Sequence, residues 1–339
     1  MTWDEAGVRG RIAAVVADAD NALEGCVWPV HPLDDEVRPD EELDLYLGSA
    51  GMIWALRRLG SSLDLDSLAA AALERYRENA RFAVEPASLY EGEPGLLLLT
   101  GSDDERLREL IVANERNPHR ELLYGSVGSI LAARAIGLDA EASQLAETLL
   151  SERDADGLWT QHFVRHDHEA RYLGPAHGFA GNVHVLRGYL ADDELRAWIE
   201  SVLREHAVWD GETVNWPPVV GSDANRVQWC HGAPGIVATL GDLLPHDLLL
   251  AGAQTTWRNG PLEKGPGLCH GTAGNGYALL KTYAVTGDEI WLDRARSFAL
   301  AAFDQLQQRY SLMTGDIGAA LFAQACIDAD PRFPILDVI

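Results

Sequence analysis

Two Cys-His-Gly triplets are the residues of this chain best suited to chemistry. They are Cys230-His231-Gly232 and Cys269-His270-Gly271, and in each a second glycine and an apolar run follow the first glycine. Thiolate and imidazole groups are preferred ligands of zinc. A site that uses all four side chains would be closed and structural, whereas a catalytic zinc keeps one position for water or substrate. The spacing of the triplets predicts a metal site and leaves both kinds open.

The triplets belong to a longer repeat in the positions of glycine. A Gly-x-x-Gly pattern followed by an apolar run occurs seven times, with first glycines between 33 and 54 residues apart. These first glycines are Gly48, Gly92, Gly125, Gly178, Gly232, Gly271 and Gly315. The apolar runs are rich in Ala and Leu on most sides, which is typical of helices that are buried all round. We therefore expect an inner helix to begin just after each pair.

Amphipathic stretches of another kind lie between the glycine pairs. Residues 66–76, 193–203 and 288–308 each begin with an acidic residue and carry one apolar stripe, as surface helices do. Buried and half-exposed helices that alternate at this period predict a repeat of helical hairpins. Hairpins stack as an open solenoid or close into a ring, and Cys-His pairs that share one metal must converge. The sequence thus predicts an all-α fold in one domain over residues 1–339. We expect an α/α toroid, a double ring of about seven helical hairpins with a central zinc site.

Composition and charge narrow the range of partners. The chain of 339 residues holds 27 Lys and Arg against 52 Asp and Glu, a formal net charge of −25. Such a field repels phosphate backbones and anionic lipids, so we expect neither nucleic acid nor a membrane as a partner. The N-terminal residues lack the features of a secretory signal. Four cysteines, two of them in ligand-like contexts, suit a reducing compartment, and we expect a cytoplasmic protein.

The blocks around the triplets resemble those of a known family. Trp-Cys-His-Gly-Ala-Pro-Gly at 229–235, Leu-Cys-His-Gly-Thr-Ala-Gly-Asn at 268–275 and Pro-Ala-His-Gly-Phe-Ala-Gly at 175–181 are similar to signature blocks of the lanthionine synthetase C (LanC) family. Glu-Leu-Leu-Tyr-Gly-Ser-Val-Gly at 121–128 and Lys-Gly-Pro-Gly-Leu-Cys-His-Gly at 264–271 resemble its LanC-like, glutathione-adding branch. Together with the glycine repeat, the blocks extend the resemblance over nearly the whole chain.

This resemblance implies a seven-fold α/α toroid with one zinc ion per chain. The implied ligands are Cys230, Cys269 and His270, with water or a substrate thiol in the fourth place. His231 then lies in the pocket as a catalytic residue that does not bind the metal. The implied reaction adds a thiol to a dehydroalanine or dehydrobutyrine residue and forms a thioether, the lanthionine type of linkage. Zinc stabilises thiolate over thiol and so supplies the nucleophile.

The same resemblance assigns the other catalytic and binding residues. His177 matches the family's general acid, which protonates the α-carbon, and Arg226 matches an arginine that can stabilise the enolate. Lys264 matches a lysine that the LanC-like branch places near its thiol co-substrate. Tyr124 is assigned to substrate binding from the block that begins at Glu121. Peptide-cyclising members carry Asp at the position of Glu121, and the longer carboxylate can still orient a histidine as part of the catalytic group.

Several functions are compatible with these assignments. The thiol is either a cysteine within a dehydrated peptide, which would give lanthionine rings, or an external thiol such as glutathione. The acceptor is a dehydrated peptide or protein, which a dehydratase or a kinase partner would prepare. The chain could instead be a non-catalytic, zinc-containing scaffold that binds thiol peptides or a kinase. A toroid glycosidase is the last alternative, and it would need paired carboxylates across a cleft.

Overall fold

Helices account for nearly all of the regular structure. The structure, a computed structural model, describes residues 2–34, 42–79, 86–163 and 168–339. Over these residues the helices are α1 Glu5–Ala22, α2 Ser49–Leu59, α3 Leu65–Asn79, α4 Glu93–Thr100, α5 Asp104–Ala113, α6 Ser126–Ala135, α7 Asp139–Ser151, α8 Phe179–Val185, α9 Asp192–Glu205, α10 Ala233–Leu240, α11 His246–Asn259, α12 Thr272–Thr286, α13 Glu289–Phe303 and α14 Asp316–Asp328. Two antiparallel hairpins join β1 Gln161–Phe163 to β2 His168–Ala170 and β3 Val208–Asp210 to β4 Thr213–Asn215.

The even-numbered helices form a closed inner ring. Each contacts the next, from α2 through α4, α6, α8, α10 and α12 to α14, and α14 contacts α2 again. The odd-numbered helices pack around this ring, as α3 does against α2 and α13 does against α12 and α14. Every residue of the inner helix α10 is buried. The outer helix α9 buries one stripe, formed by Leu195, Ile199, Val202 and Leu203. The predicted α/α toroid is therefore confirmed.

The glycine pairs determine how each inner helix begins. The first glycine of every pair is the N-cap residue, so each inner helix begins between the two glycines. The sequence predicted a start just after the pair, which is a few residues too late. A Cβ at the second glycine would lie 1.7 to 3.0 Å from the carbonyl oxygen six residues earlier; at Gly235 and Gly274 the distance is 1.7 Å. A side chain does not fit there. The glycines therefore let the preceding loop fold back over the first helical turn and face the centre of the ring.

Backbone hydrogen bonds tie the starts of neighbouring inner helices together. The amide of Cys230 donates to the carbonyl of Cys269 at 3.0 Å, and the amide of Cys269 donates to that of Met313 at 2.7 Å. The same register crosses the closure of the ring, from Met313 to Tyr46 at 3.2 Å and from Tyr46 to Tyr90 at 3.1 Å. Each of these residues lies two positions before the first glycine of its pair. Equivalent positions of successive repeats are thus side by side at one end of the ring.

The C-terminal segment packs inside the ring below this end. Phe333 is completely buried, and its ring stacks on Trp229 with the centroids 4.3 Å apart. Asp337 lies 3.3 Å from Nε2 of His184, a residue of α8. From within the ring, the segment therefore packs against the loop that carries Cys230 and supports it.

The helices are too short or too polar for a membrane. Within the part of the chain that the structure describes, none has the length and apolarity required to cross a bilayer. The most apolar inner helices are short: α10 has 8 residues, against about 20 for a spanning helix.

Candidate metal centre and catalytic cleft

A cleft of about 600 Å³ opens at the end of the ring where the inner helices begin. Seven of the nine predicted site residues line it, namely His177, Arg226, Cys230, His231, Lys264, Cys269 and His270. Helix N-termini carry partial positive charge from their aligned peptide dipoles and their free N–H groups. Because the inner helices start around this cleft, the fold itself favours anionic groups there, in a protein of strongly negative net charge.

Three of these residues form a cluster that could bind a metal. The sulfur atoms of Cys230 and Cys269 and a ring nitrogen of His270 all lie within 4.8 Å of one another. A tetrahedral zinc ion with bonds of about 2.0 to 2.3 Å to such ligands fits a set of this size. Among the residues that the structure describes, His231 belongs to no such group. The donor set therefore offers two sulfurs and one nitrogen, which leaves a fourth position open.

A chain of hydrogen bonds links the two cysteines of the cluster. The thiol of Cys269 donates to the sulfur of Cys230, which lowers the pKa of Cys230 well below its ordinary value and raises that of Cys269. The hydroxyl of Tyr46 donates to Cys269 in turn. Metal-binding cysteines must be thiolates, so this arrangement favours the required form at Cys230, whereas Cys269 has to give up its proton when a metal binds. Sequence reasoning missed Tyr46, although its place two residues before Gly48 matches that of each cysteine before its own glycine.

A buried carboxylate orients His177. The Nδ1 atom of His177 lies 2.7 Å from Oε2 of Glu121. Glu121 is completely buried, whereas 20% of the His177 side chain is exposed. The carboxylate also accepts hydrogen bonds from the backbone amides of Leu123, at 3.2 Å, and of Tyr124. Because a carboxylate only accepts hydrogen bonds, Nδ1 carries the hydrogen of this pair and Nε2 is left for other partners.

Aromatic rings form a continuous wall beside the metal cluster. Tyr124 stacks on His177 with centroids 5.7 Å apart, and His177 stacks on His231 at 5.8 Å. Tyr172 contacts both imidazoles, at 5.7 and 5.6 Å. Burial lowers the pKa of His231 to about 4, so this ring is neutral at physiological pH. Its Nδ1 atom is buried and has no hydrogen-bond partner within the described residues.

Two cations in the cleft lack an acidic partner. Arg226 and Lys264 are exposed, and no ion pair of either side chain occurs in the described part of the chain. The ammonium of Lys264 instead donates to the amide oxygen of Gln228 at 3.2 Å. A third cation that the sequence analysis missed, Arg309, is bound to Asp34, with Nε to Oδ2 at 2.7 Å. Arg226 and Lys264 are therefore the cleft cations available to an anionic substrate group.

A shared sequence position could have revealed Tyr172 and Arg309, two residues beside the cleft that the sequence analysis missed. Tyr172, Arg226 and Arg309 each lie six residues before the first glycine of a pair. A Cβ at the glycine would meet the backbone carbonyl at this position at 2.0 to 2.1 Å in all three repeats. The position six residues before the glycine thus marks the edge of the cleft in each of these repeats.

We expect Glu121→Gln to move the pH dependence of catalysis to lower pH. Burial acts to lower the pKa of His177, but the hydrogen bond and the charge of Glu121 raise it to a net value above the ordinary one. Glutamine keeps the shape and loses the charge, so the pKa of His177 should fall. If protonated His177 is the acid, the rate falls as pH rises through that pKa, and the variant should lose rate earlier. Each unit of decrease removes about tenfold of the protonated form at higher pH.

The measurement for this variant is kcat/KM as a function of pH, with an NMR titration of His177 alongside. A profile identical to that of the wild-type protein would contradict the role of Glu121. Arg120→Gln is a suitable control, since Arg120 is adjacent in sequence but its side chain pairs with Glu152 instead of His177.

A larger cleft on the outside of the toroid does not offer comparable chemistry. It measures about 870 Å³ and lies between α2, α3 and α4. Both arginines of its lining are engaged in ion pairs, Arg57 with Asp66 at 2.6 Å and Arg77 with Glu93 at 2.8 Å. Its described lining contains neither cysteine nor histidine. The inner cleft is therefore the candidate site.

Comparisons with known proteins agree with the fold and the motifs. The model of a family described as lanthionine synthetase C-like protein matches residues 30–338. The LanC-like protein GCL1 of Arabidopsis thaliana is 28% identical over 246 residues, which cover 63% of this chain and 57% of that protein. The glutathione S-transferase LANCL1 of Danio rerio is 33% identical over 144 residues, 39% of this chain and 35% of that protein. The matches thus span from a third to just over half of the length of these relatives.

A solved structure has the same fold. Nisin cyclase superposes with a TM-score of 0.61 over 94% of both chains, at 15% sequence identity. At this identity the likeness concerns the fold, and it agrees with the closed ring of inner and outer helices.

Proposed function

This chain belongs to the lanthionine synthetase C-like family, and we propose that it catalyses the zinc-dependent addition of a thiol to a dehydroalanine or dehydrobutyrine residue. The product is a thioether. One observation carries the proposal: the Cys230, Cys269 and His270 cluster shares a cleft with His177, which Glu121 orients. The relatives named as a cyclase and as a glutathione S-transferase support a C–S bond-forming activity.

The metal ligands of this proposal are Cys230, Cys269 and His270. Their donor types, burial and mutual distances fit zinc, as described above. A bound zinc ion would favour the thiolate form of the substrate and so supply a nucleophile near neutral pH. His231 is neutral and lines the cleft beside these ligands without belonging to the set.

The remaining residues handle the charge and the proton of the addition. The thiol loses its proton to solvent, its sulfur bonds to the β-carbon, and the electrons of the C=C double bond shift to an enolate. Arg226 and the N-termini of the inner helices stabilise this negative charge. His177 then gives the proton of its Nε2 to the α-carbon and is reprotonated by solvent, so protons balance. Glu121 stabilises the charged imidazole before the transfer, and Tyr124 fixes the plane of the ring.

An external, anionic thiol is the substrate that the cleft charges favour. Lys264 and Arg226 are the cleft cations without a carboxylate partner in the described residues, and charge-assisted hydrogen bonds to carboxylates are strong. Glutathione has two carboxylates and a thiol, and so matches this arrangement. The acceptor would be a dehydrated peptide or protein, prepared by a dehydratase or by elimination of the phosphate that a kinase has added.

The experiment that tests this function combines the zinc-loaded protein with glutathione and a dehydroalanine peptide. We expect the peptide to gain the mass of one glutathione, and a peptide with serine in place of dehydroalanine to remain unchanged. Lys264→Met should raise the KM for glutathione roughly tenfold or more, since hydrogen bonds to charged groups contribute about 1.5 to 3 kcal/mol. The KM for cysteamine, a thiol without a carboxylate, should not rise.

Other outcomes of this experiment identify the rival functions. Ring formation in a dehydrated peptide that contains cysteine, without a glutathione adduct, would show a cyclase. Binding of thiol peptides without any turnover, retained after the metal is removed, would show a scaffold. The cleft does not support a glycosidase, because Glu263 is the single carboxylate in its described lining.

A further inference from the structure

Gln228 lies between a metal ligand and the substrate-binding lysine, and neither the sequence motifs nor the reaction assigns it a role. Its amide nitrogen Nε2 lies 2.9 Å from the sulfur of Cys230. Its amide oxygen Oε1 accepts a hydrogen bond from Nζ of Lys264 at 3.2 Å. The side chain is buried and lines the cleft. One amide group therefore contacts both halves of the proposed site.

The chemistry of its two neighbours fixes the orientation of this amide. A thiolate accepts hydrogen bonds and an ammonium only donates them, whereas the glutamine amide does both from opposite ends. In the observed orientation, the NH₂ group faces sulfur and the oxygen faces Lys264. A rotation by half a turn would set oxygen against thiolate and NH₂ against ammonium, and both contacts would be repulsive. Both contacts therefore require the same orientation of the amide, with the NH₂ group toward Cys230 and the oxygen toward Lys264.

The backbone holds Gln228 equally firmly. The amide of Gln228 donates to the carbonyl of His231, and the amide of His231 donates back to Gln228, both at 3.0 Å. Asn275 donates to the carbonyl of the preceding residue, Val227, at 3.0 Å. The turn ends at Gly232, whose φ of +102° suits only glycine, while the other six N-cap glycines of the inner helices have negative φ. This repeat therefore has a turn of its own, which fixes the distance between Gln228 and Cys230.

We propose that Gln228 is a positioning residue that couples Cys230 as a metal ligand to Lys264 as a thiol-binding group. Its N–H group withdraws charge from the sulfur of Cys230, so the metal retains a greater capacity to stabilise an incoming thiolate. Its oxygen holds the ammonium of Lys264 over the same cleft, where it meets the anionic end of that thiol. The second half of this inference rests on the proposed function, whereas the first half concerns only the metal centre. Hydrogen bonds to metal ligands of this kind typically contribute roughly 10- to 100-fold in metal affinity or activity.

The test uses Co²⁺ in place of zinc, because its absorption reports on the cysteine sulfurs without any substrate. Gln228→Leu removes both hydrogen bonds at similar volume. We expect the sulfur-to-cobalt charge-transfer band to move to lower energy and Co²⁺ affinity, measured by chelator competition, to fall roughly 10- to 100-fold. Gln228→Glu, which sets a carboxylate against the sulfur and pairs with Lys264, should do the same and serves if the leucine variant does not fold. Gln307→Leu, a cleft amide that lies near Gly265, should leave both metal readouts unchanged.

Lys264→Met separates the two halves of the inference. It should raise the KM for glutathione while the cobalt band and the metal affinity stay at wild-type values, whereas Gln228→Leu should change all three. Wild-type band energy and affinity in Gln228→Leu would overturn the proposal. A changed band with an unaltered KM in that variant would overturn the coupling to Lys264. If Lys264→Met itself leaves the KM unchanged, the proposed thiol-binding role fails, and the cobalt readouts still decide the role of Gln228 at the metal.

Discussion

Cys230→Ala and Cys269→Ala are each expected to lose the metal and the thiol addition. Each substitution removes one of three ligands, and the two that remain do not form a zinc site of ordinary affinity. A catalytic metal supplies several kcal/mol of transition-state stabilisation, so the rate should fall by roughly 10³-fold or more. Metal content per chain and adduct formation, measured on the same preparation, check this result.

Two control variants should keep the metal. Cys326→Ala should keep the metal, because Cys326 is a buried thiol of α14 outside the cluster. His231→Ala should also keep it, since His231 is not a member of the cluster. Complete loss of zinc from His231→Ala would show a closed, four-ligand structural site and would contradict the catalytic interpretation.

His177→Asn is expected to retain zinc and fold but to slow net addition by roughly 10² to 10⁴-fold, the range typical of a general acid. The reaction has two separable steps, thiolate attack at the β-carbon and protonation at the α-carbon. Without His177, solvent can protonate either face of the enolate, so the product should become a mixture of stereoisomers. Chiral analysis of the hydrolysed thioether, together with the single-turnover rate, measures both effects.

Arg226→Ala is the comparison variant for this experiment. Arg226 lines the same cleft but is proposed to stabilise the enolate or seat the acceptor, so its loss should slow attack without mixing the stereoisomers. An unchanged rate and a single stereoisomer from His177→Asn would remove His177 from the mechanism. The buried pair with Glu121 would then have a structural role only.

The sequence by itself determined the number of helical repeats and the place in each repeat where the inner helix begins. Seven glycine pairs predicted seven inner helices, because a Cβ at these positions would meet the backbone carbonyl six residues earlier, as at Gly235. Helix capping at Gly232 and Gly271 then fixes where the preceding cysteines and histidines must lie. Local backbone geometry thus predicted that both Cys-His pairs lie at the cleft, whereas the choice of Cys230, Cys269 and His270 without His231 came from the family resemblance.

Tertiary structure decided which repeats are neighbours and which side chains meet. Tyr46 donates to Cys269 because the ring closes between α14 and α2, and no local pattern fixes that closure. The contact of Gln228 with both Cys230 and Lys264 requires two adjacent repeats in one register, set by the hydrogen bond from Cys230 to Cys269. Within a repeat, the spacing of the glycines is read from the sequence because the steric clash that it avoids is between residues only six positions apart. Packing between repeats is a sum over many apolar contacts from distant parts of the chain, and only the folded ring brings those parts together.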